Sequence, residues 1–422
     1  MLRVLKRKAK NFYHLVIGLL ACWYYGYPSK KLKLIGITGT DGKTTTTHFI
    51  YDALVKSGKK AMIVSSVYAK IGDLEYDTGL HTTTPSNKQL QFFLAKAVSE
   101  KIEYAVLEVT AHAIDQNRII GIDFQSSGIT NITAEHIMSK DKESDYFSTF
   151  KKYRDTKLKL LLASQHCFIN RDDSNYSYIK SFLFRHNKKF FTYGYKDETK
   201  ADYKFDFKRY GLNNLPEFLK EDFSLGYSIL KHLGLSDDQI AEAMKTFSRP
   251  AGRLEVVWNK QVTAIIDFAH TQNAFKTVLP YIKNNYAKNS RLIHIFGCAG
   301  QRDFAKRPHM GYYSSKNADI VILTEEDFRN EDINQIFAEI EQGIVKNGFK
   351  LADIKKIENK AGIYYKIADR EQAIKLAVEL SQPGDVILAT GKSHEKSLAR
   401  FGKEWPWDEK KTLLRFLQAK YG

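Results

Sequence analysis

Apolar runs of four to eight residues alternate with helical stretches almost from end to end of the chain. Runs at 32–37, 60–67, 104–109, 128–132 and 167–170 read as strands. Their alternation with helical stretches argues for parallel α/β sheets. The intervening segments carry helical periodicity; that at 44–56 is closed by Gly58. A helical region over 217–247 ends at Arg249-Pro250-Ala251-Gly252, a sequence that cannot continue a helix. A second alternation follows, with strands at 262–268, 291–296, 319–324 and 385–390. The pattern predicts two α/β domains: an extension at 1–31, a central domain at 32–250 and a C-terminal domain at 251–422.

The extension differs in character. Five of the first ten residues are basic, and an apolar, aromatic stretch over 12–27 follows. No small-residue cleavage site appears, and the stretch is shorter than the roughly 20 apolar residues that span a bilayer. Two placements stay open: a helix packed on the protein's own surface, or one lying on an anionic membrane. The formal net charge of +17 suits an anionic partner without selecting one. Cys22, Cys167 and Cys298 form no CxxC pair, which argues against a disulfide framework or a zinc site and for a reducing cytoplasm.

The strongest chemical signal is Gly36-Ile-Thr-Gly39-Thr40-Asp41-Gly42-Lys43-Thr44-Thr45, set between a strand and a helix. That context is what a phosphate loop requires. Glycines let backbone amides wrap the phosphates, Lys43 reaches the outer phosphates and Thr44 is placed for Mg²⁺. Glycines recur every third residue, with Ile37 where the usual first glycine would be. Glu108 lies at the end of its strand, where ligands gather in open α/β sheets and where a carboxylate can hold Mg²⁺.

With its flanks, this loop resembles that of the Mur ligase family, and within it the E-type UDP-N-acetylmuramoyl-tripeptide synthetases. The likeness runs over roughly 400 residues and several motifs in order. His81-Thr-Thr83-Thr84-Pro85 resembles the Thr-Thr-Pro segment that contacts the nucleotide substrate. Glu108-Val-Thr110-Ala-His112 with Gln116 and Arg118 resembles Glu-Val-Ser-Ser-His-Ala-x-x-Gln-x-Arg. Thr130-Asn131-Ile-Thr133-Ala-Glu-His136 resembles the segment whose histidine ligates a second Mg²⁺, although Ile137-Met-Ser-Lys140 departs from the family afterwards. Tyr153 with Lys157 resembles the segment whose lysine is carbamylated and holds that metal. Asn170-Arg-Asp172-Asp173 matches the Asn-x-Asp-Asp turn, whereas Phe218-Leu-Lys-Glu221-Asp222 lacks both asparagines of the adenine motif.

In the second half, Gly252-Arg253-Leu-Glu255 and Asp267-Phe-Ala-His270 resemble ATP-side motifs. Phe296-Gly-Cys298-Ala-Gly300-Gln-Arg302-Asp303, Glu326-Asp-Phe-Arg329 and Gly391-Lys392-Ser-His-Glu395 resemble the amino-acid-binding segments. The resemblance implies ATP and two Mg²⁺ ions. It assigns Thr44, Glu108, His136 and a carbamylated Lys157 to metal, and Arg253, Asp267 and His270 to the nucleotide. Thr83, Thr84, Thr110, Gln116, Arg118, Arg302, Arg329 and Glu395 fall to the substrates. The implied reaction adds meso-diaminopimelate or L-lysine to a nucleotide-sugar peptide, by a monomeric cytoplasmic enzyme of peptidoglycan synthesis. Asp327 would welcome a side-chain ammonium, and Glu395 the free amine. E-type enzymes carry roughly a hundred residues ahead of the linker to grip uridine nucleotide, against about 30 here, so a lipid-linked acceptor is also open. Another Mur-fold amide ligase, similar to folylpolyglutamate synthase, is the alternative. A P-loop ATPase acting on nucleic acid or membranes is a distant one; no nucleic acid is expected.

Overall fold

Strand β1 (Lys33–Thr38) is buried over all but its first residue and lies in the middle of a sheet. In this computed structural model, residues 2–79, 83–133, 146–147, 149–354, 356, 358 and 360–422 are described, and for residues 2–8 only the backbone. The chain divides into two compact units, the first holding 1–134 and 150–248, the second including 249–422.

In the first unit β1 pairs in parallel with β5 (Tyr104–Glu108) and β6 (Phe124–Ile129). The sheet continues through β2 (Ala61–Val64), β3 (Ala69–Ile71) and β4 (Leu74–Tyr76) on one side. On the other stand β7 (Ser164–Asn170), β8 (Phe191–Gly194) and β9 (Tyr203–Lys204), giving the order 4-3-2-5-1-6-7-8-9. Only the pairings of β3 with β2 and β4 are antiparallel among the described residues. The chain runs from β1 to one side and from β6 to the other, so the carboxyl ends around β1 form a topological switch point.

Helix α1 (Leu2–Tyr24) precedes the sheet; α2 (Lys43–Lys56) follows β1. Then come α3 (Asn87–Ser99), α4 (Ala111–Asp115), α5 (Phe150–Leu162), α6 (Tyr176–Arg185), α7 (Glu217–His232) and α8 (Asp237–Lys245). The helical pattern at 217–247 thus resolves into two helices. Gly234, at φ +94°, breaks the first, and Ser236 starts the second through a capping box with Gln239. One face of the sheet packs Phe49, Phe168, Phe223 and Ile229, the other Leu34, Met62, Phe93 and Leu107.

The second unit has strands β10 (Glu255–Asn259), β11 (Thr263–Asp267), β12 (Leu292–Phe296), β13 (Ile320–Leu323), β14 (Lys350–Leu351), β15 (Ile363–Lys366) and β16 (Val386–Thr390). Their order is 10-11-16-12-13-15-14, all parallel except β10 against β11. Helices α9 (Gln272–Asn285), α10 (Lys306–Asn317), α11 (Ile333–Ile344), α12 (Arg370–Leu380) and α13 (Glu409–Tyr421) accompany them. A hairpin, β17 (Ser397–Arg400) and β18 (Lys403–Pro406), stands apart. The α/β class expected from the alternation is what both sheets display.

Candidate active site

The loop after β1 is held open by side chains from neighbouring strand ends. Gly39 has φ +149°, and a Cβ there would lie 1.8 Å from Thr130 Oγ1; at Gly42 (φ +80°) it would lie 1.9 Å from Asp222 Oδ1. Only glycine fits at either point. Asn131 Oδ1 accepts from Asp41 N at 3.0 Å, Thr130 Oγ1 donates to Asp41 O at 2.6 Å, and Thr133 N donates to Thr40 Oγ1 at 3.0 Å. Helix α2 starts on Gly42 without a side-chain cap, so its first-turn amides face the loop as an anion site. Lys43 Nζ donates to the loop's own Thr40 carbonyl at 2.7 Å.

Glu108 is buried at the end of β5. The Thr44 hydroxyl reaches its two oxygens at 3.1 and 3.0 Å, and Ser66 N donates to Oε2 at 3.0 Å. Among the described residues it makes no ion pair, and its partners are neutral. A hydroxyl and an uncompensated carboxylate at a phosphate loop are the hard oxygen donors that magnesium prefers, so Thr44 and Glu108 fit that ion. Lys157, buried on α5, donates to Gly39 O at 2.5 Å, and its Nζ stands 4.5 Å from the Tyr153 ring centroid.

Behind Glu108 the strand edge is tied together. Thr84 Oγ1 donates to Glu108 O at 3.0 Å and accepts from Thr110 N at 3.1 Å. Arg118 Nη1 donates to Thr84 O at 2.6 Å, while its Nε and Nη2 grip Gln116 Oε1 at 2.9 and 2.7 Å. Thr110 caps α4 by accepting from Ala113 N. On the β7 side, Asn170 Nδ2 donates to Thr130 O and to Glu221 Oε1 at 2.8 Å. Burial, with Asp173 nearby, pushes the Glu221 carboxyl up to about 8. The carboxyl of Asp222 is also raised well above its usual range, first by burial and then by Glu221.

In the second unit the motifs again gather at the carboxyl edge, on the loops after β11, β12, β13 and β16. Asp267 accepts from Leu254 N and Ala269 N, both at 2.8 Å; burial raises its pKa against the opposing pull of Arg253. The Arg253 guanidinium lies 4.4 Å from the Phe268 ring centroid, and the His270 carbonyl accepts from Lys306 Nζ at 2.6 Å. The buried Lys392 ammonium pairs with Asp327 Oδ1 at 2.9 Å and Glu395 Oε2 at 2.6 Å. Burial works to lower its pKa, but the two carboxylates outweigh that and hold the pKa above the ordinary lysine value. Asp327 also accepts from Ala399 N at 2.9 Å.

Asp327, expected to favour an incoming ammonium, thus already meets an internal one, which it shares with Glu395. Arg329, at φ +56°, donates to Gly300 O at 2.6 Å. Burial and then the like charge of Arg302 depress its pKa. A guanidinium has further donors for a carboxylate beyond the one that Gly300 O takes.

Residues 37–219 match the family described as Mur ligase middle domain, and residues 252–393 match the Mur ligase, glutamate ligase domain. The UDP-N-acetylmuramoyl-L-alanyl-D-glutamate–2,6-diaminopimelate ligase 1 of Clostridium acetobutylicum is 33% identical over 426 residues, covering 95% of this chain and 81% of its own. The chain belongs to the Mur ligase family. It is thus an ATP-dependent ligase forming amide bonds. The UDP-N-acetylmuramyl-tripeptide synthetase of Borrelia garinii subsp. bavariensis is 32% identical, covering 92% of this chain and 77% of its own. A solved UDP-N-acetylmuramoyl-L-alanyl-D-glutamate–2,6-diaminopimelate ligase superposes with TM-score 0.55 at 25% identity, covering 93% and 79% of the two chains. Mycobacterium tuberculosis folylpolyglutamate synthase complexed with ADP superposes at TM-score 0.68 but 13% identity, covering 90% and 92%, a likeness of fold alone.

Of the residues the motifs single out in this Mur ligase, Gly39 to Thr45, Thr84, Glu108, Thr110, Gln116, Arg118 and Lys157 meet at one sheet edge of the first unit. Thr83 adjoins them in sequence. Arg253, Asp267, His270, Arg302, Arg329 and Glu395 lie in the second unit. His81, Thr82 and His136 fall outside the described residues. Motif reading passes over Ser66, which bonds Glu108 and Thr44. Its signal was available: a Ser-Ser pair directly after a buried strand of the same sheet. It also passes over the pairing of Lys392 with Asp327, residues 65 positions apart.

Proposed function

We propose that this Mur ligase adds meso-diaminopimelate to the D-glutamyl carboxylate of UDP-N-acetylmuramoyl-L-alanyl-D-glutamate, in the cytoplasm and as a monomer. The observation that carries the choice of amino acid is the half-buried Arg329, held by Gly300 O with the like charge of Arg302 acting on it. Two guanidiniums match the two carboxylates of diaminopimelate, of which lysine has only one. The names of the Clostridium acetobutylicum relative and of the solved diaminopimelate ligase support the same amino acid.

The acceptor carboxylate attacks the γ-phosphorus of ATP, giving an acyl phosphate and ADP. The incoming amine then attacks the acyl carbon, and the tetrahedral adduct expels phosphate and leaves an amide. Lys43 and the first-turn amides of α2 draw charge from the phosphates. Thr44 and Glu108 would hold magnesium, which supplies charge neutralisation on the phosphoryl oxygens when bound. Lys157 as an ammonium repels a metal; carbamylated, it becomes an anion able to share a second ion with His136. Within the first unit Thr84, Thr110, Gln116 and Arg118 take the acceptor; within the second, Arg253, Asp267 and His270 serve the nucleotide, and Glu395, with Lys392, receives the amine.

Mass spectrometry tests this with ATP, Mg²⁺, bicarbonate, the UDP-dipeptide and an equimolar mixture of diaminopimelate and lysine. The expected product is heavier by one diaminopimelate residue. Lys43→Ala and Glu108→Ala should each lower turnover by about 10³-fold or more, with melting unchanged. A lysine product, or full turnover in either variant, refutes the assignment.

A further inference from the structure

Helix α1 docks on the first unit through one face and leaves the opposite one bare. On the docked side, Asn11 Nδ2 donates to Asp115 O at 2.8 Å and Asn117 Nδ2 returns a bond to Asn11 O at 3.1 Å. Gly18 comes so close that a Cβ would lie 2.6 Å from Ile120 Cγ2, and Ala21 and Cys22 are buried. Half a turn away, at three- and four-residue spacing, stand Phe12, Val16, Leu19, Leu20, Trp23 and Tyr24, with exposures from 39% to 75%. Tyr13 on the same face is 61% exposed.

An ordinary surface helix turns its polar side outward. This one does the reverse over 11–24, and residues 11–29 contain no Asp, Glu, Lys or Arg at all. The charge lies at both ends of the stripe. Arg3, Lys6, Arg7, Lys8 and Lys10 precede it, Lys30, Lys31 and Lys33 follow it, and no acidic residue occurs before Asp41.

A continuous apolar face of this kind marks a binding surface, and its flanks select the partner. A second copy would bring seven cations per chain against seven more, Lys33 being paired with Glu103. A spanning role fails, because no helix among the described residues is long and apolar enough to cross a membrane. Nucleic acid would meet leucines where it needs interleaved cations. An anionic bilayer surface matches every part. Trp and Tyr rings sit in the headgroup layer, leucine and phenylalanine reach the acyl boundary, and the flanking lysines and arginines meet lipid phosphates. We propose that the outer face of α1 lies in the surface of an anionic membrane and holds the enzyme there as a peripheral protein.

The test is co-sedimentation of the full chain with vesicles of phosphatidylcholine alone and of phosphatidylcholine with 30% phosphatidylglycerol (a composition of about that value suffices). Partitioning should favour the anionic vesicles at least ten-fold and weaken in high salt. The Leu20→Ser/Trp23→Ser variant should lose at least ten-fold while melting as the parent does. Should that variant fail to fold, Lys6→Glu/Lys10→Glu decides the matter: the preference for anionic vesicles should vanish. Trp23 emission should shift to the blue on binding, and the shift should be absent in Trp23→Phe. Failure of the parent to bind either vesicle, equal binding by the variants, or a dimer that Leu20→Ser/Trp23→Ser dissociates would overturn the proposal. None of these readouts depends on ligase turnover, so they stand or fall apart from the assigned reaction.

Discussion

At the scale of single residues, the site is set by contacts too close to tolerate substitution. Gly42 is the sharpest case: its left-handed φ and the Asp222 oxygen 1.9 Å from a hypothetical Cβ leave alanine no place. Gly42→Ala should raise the KM for ATP at least ten-fold and lower the melting temperature, measurable by steady-state kinetics and calorimetry. His294 gives a pH dependence. It is fully buried between Ser314 Oγ at 2.8 Å and Thr390 Oγ1 at 3.0 Å, and burial lowers its pKa to about 3 from 6.5. Because the unfolded chain binds the proton more readily, the stability His294 contributes is intact above pH 6.5 and is lost as pH falls toward 3. Between pH 6.5 and 5 this amounts to about 2 kcal/mol at 1.36 kcal/mol per unit. Urea midpoints of the second unit at pH 7 and 5 should show that loss in the parent and a smaller one in His294→Gln.

Between elements, buried charge ties helices to sheet edges. Arg370 at the start of α12 and Glu409 at the start of α13 are both wholly buried and joined by two hydrogen bonds of 2.8 and 2.6 Å. Arg370 also donates to Glu325 O and Thr390 O, so three groups from separate parts of the chain converge on one guanidinium. Removing one partner strands the other in a dry interior, at a cost of about 3–5 kcal/mol. Arg370→Met should therefore destabilise the second unit by that much in urea unfolding. Arg370→Met/Glu409→Leu should recover a large part, since a packed apolar pair leaves no stranded charge. Nine strands of the two sheets were legible in the chain as apolar runs, whereas β3, β4, β8, β9, β10, β14 and β15 were not, and in the structure Ser86, Thr110, Ser236, Thr271 and Asp408 each cap a helix. The strand expected at 128–132 instead occupies Phe124–Ile129. Gln125, Ser126 and Ser127 broke its apolar pattern, yet the parallel ladder with β1 and β7 recruits them, because backbone pairing does not depend on side-chain polarity.

Over the whole molecule, each unit closes its own core, with Trp258, Ile293, Ile322 and Leu413 packed in the second and Phe49, Phe168 and Phe223 in the first. A fragment of residues 249–422 should accordingly fold alone, giving a cooperative melt by circular dichroism. A broad, non-cooperative transition would show that its core needs the rest of the chain. The excess of 65 basic over 48 acidic residues acts at this scale too, drawing polyanionic nucleotide substrates and making association rates fall with salt.

The sequence by itself determined the α/β class, the phosphate loop and the family, because those rest on local periodicity and on spacings within short segments. It also located a strand end where ligands gather, since Glu108 stands near the end of the apolar run over 104–109. Only the tertiary structure decided which charges are spent and which remain. Asp327 looked like a receptor for an ammonium until Lys392, 65 residues on, proved to occupy it. Likewise, an apolar stretch over 12–27 could have been entirely buried; the fold covers one face through Gly18 and Cys22 and leaves Trp23 and Leu20 outside. Such outcomes depend on which distant segments meet, and strand order, rather than any single stretch of chain, settles that.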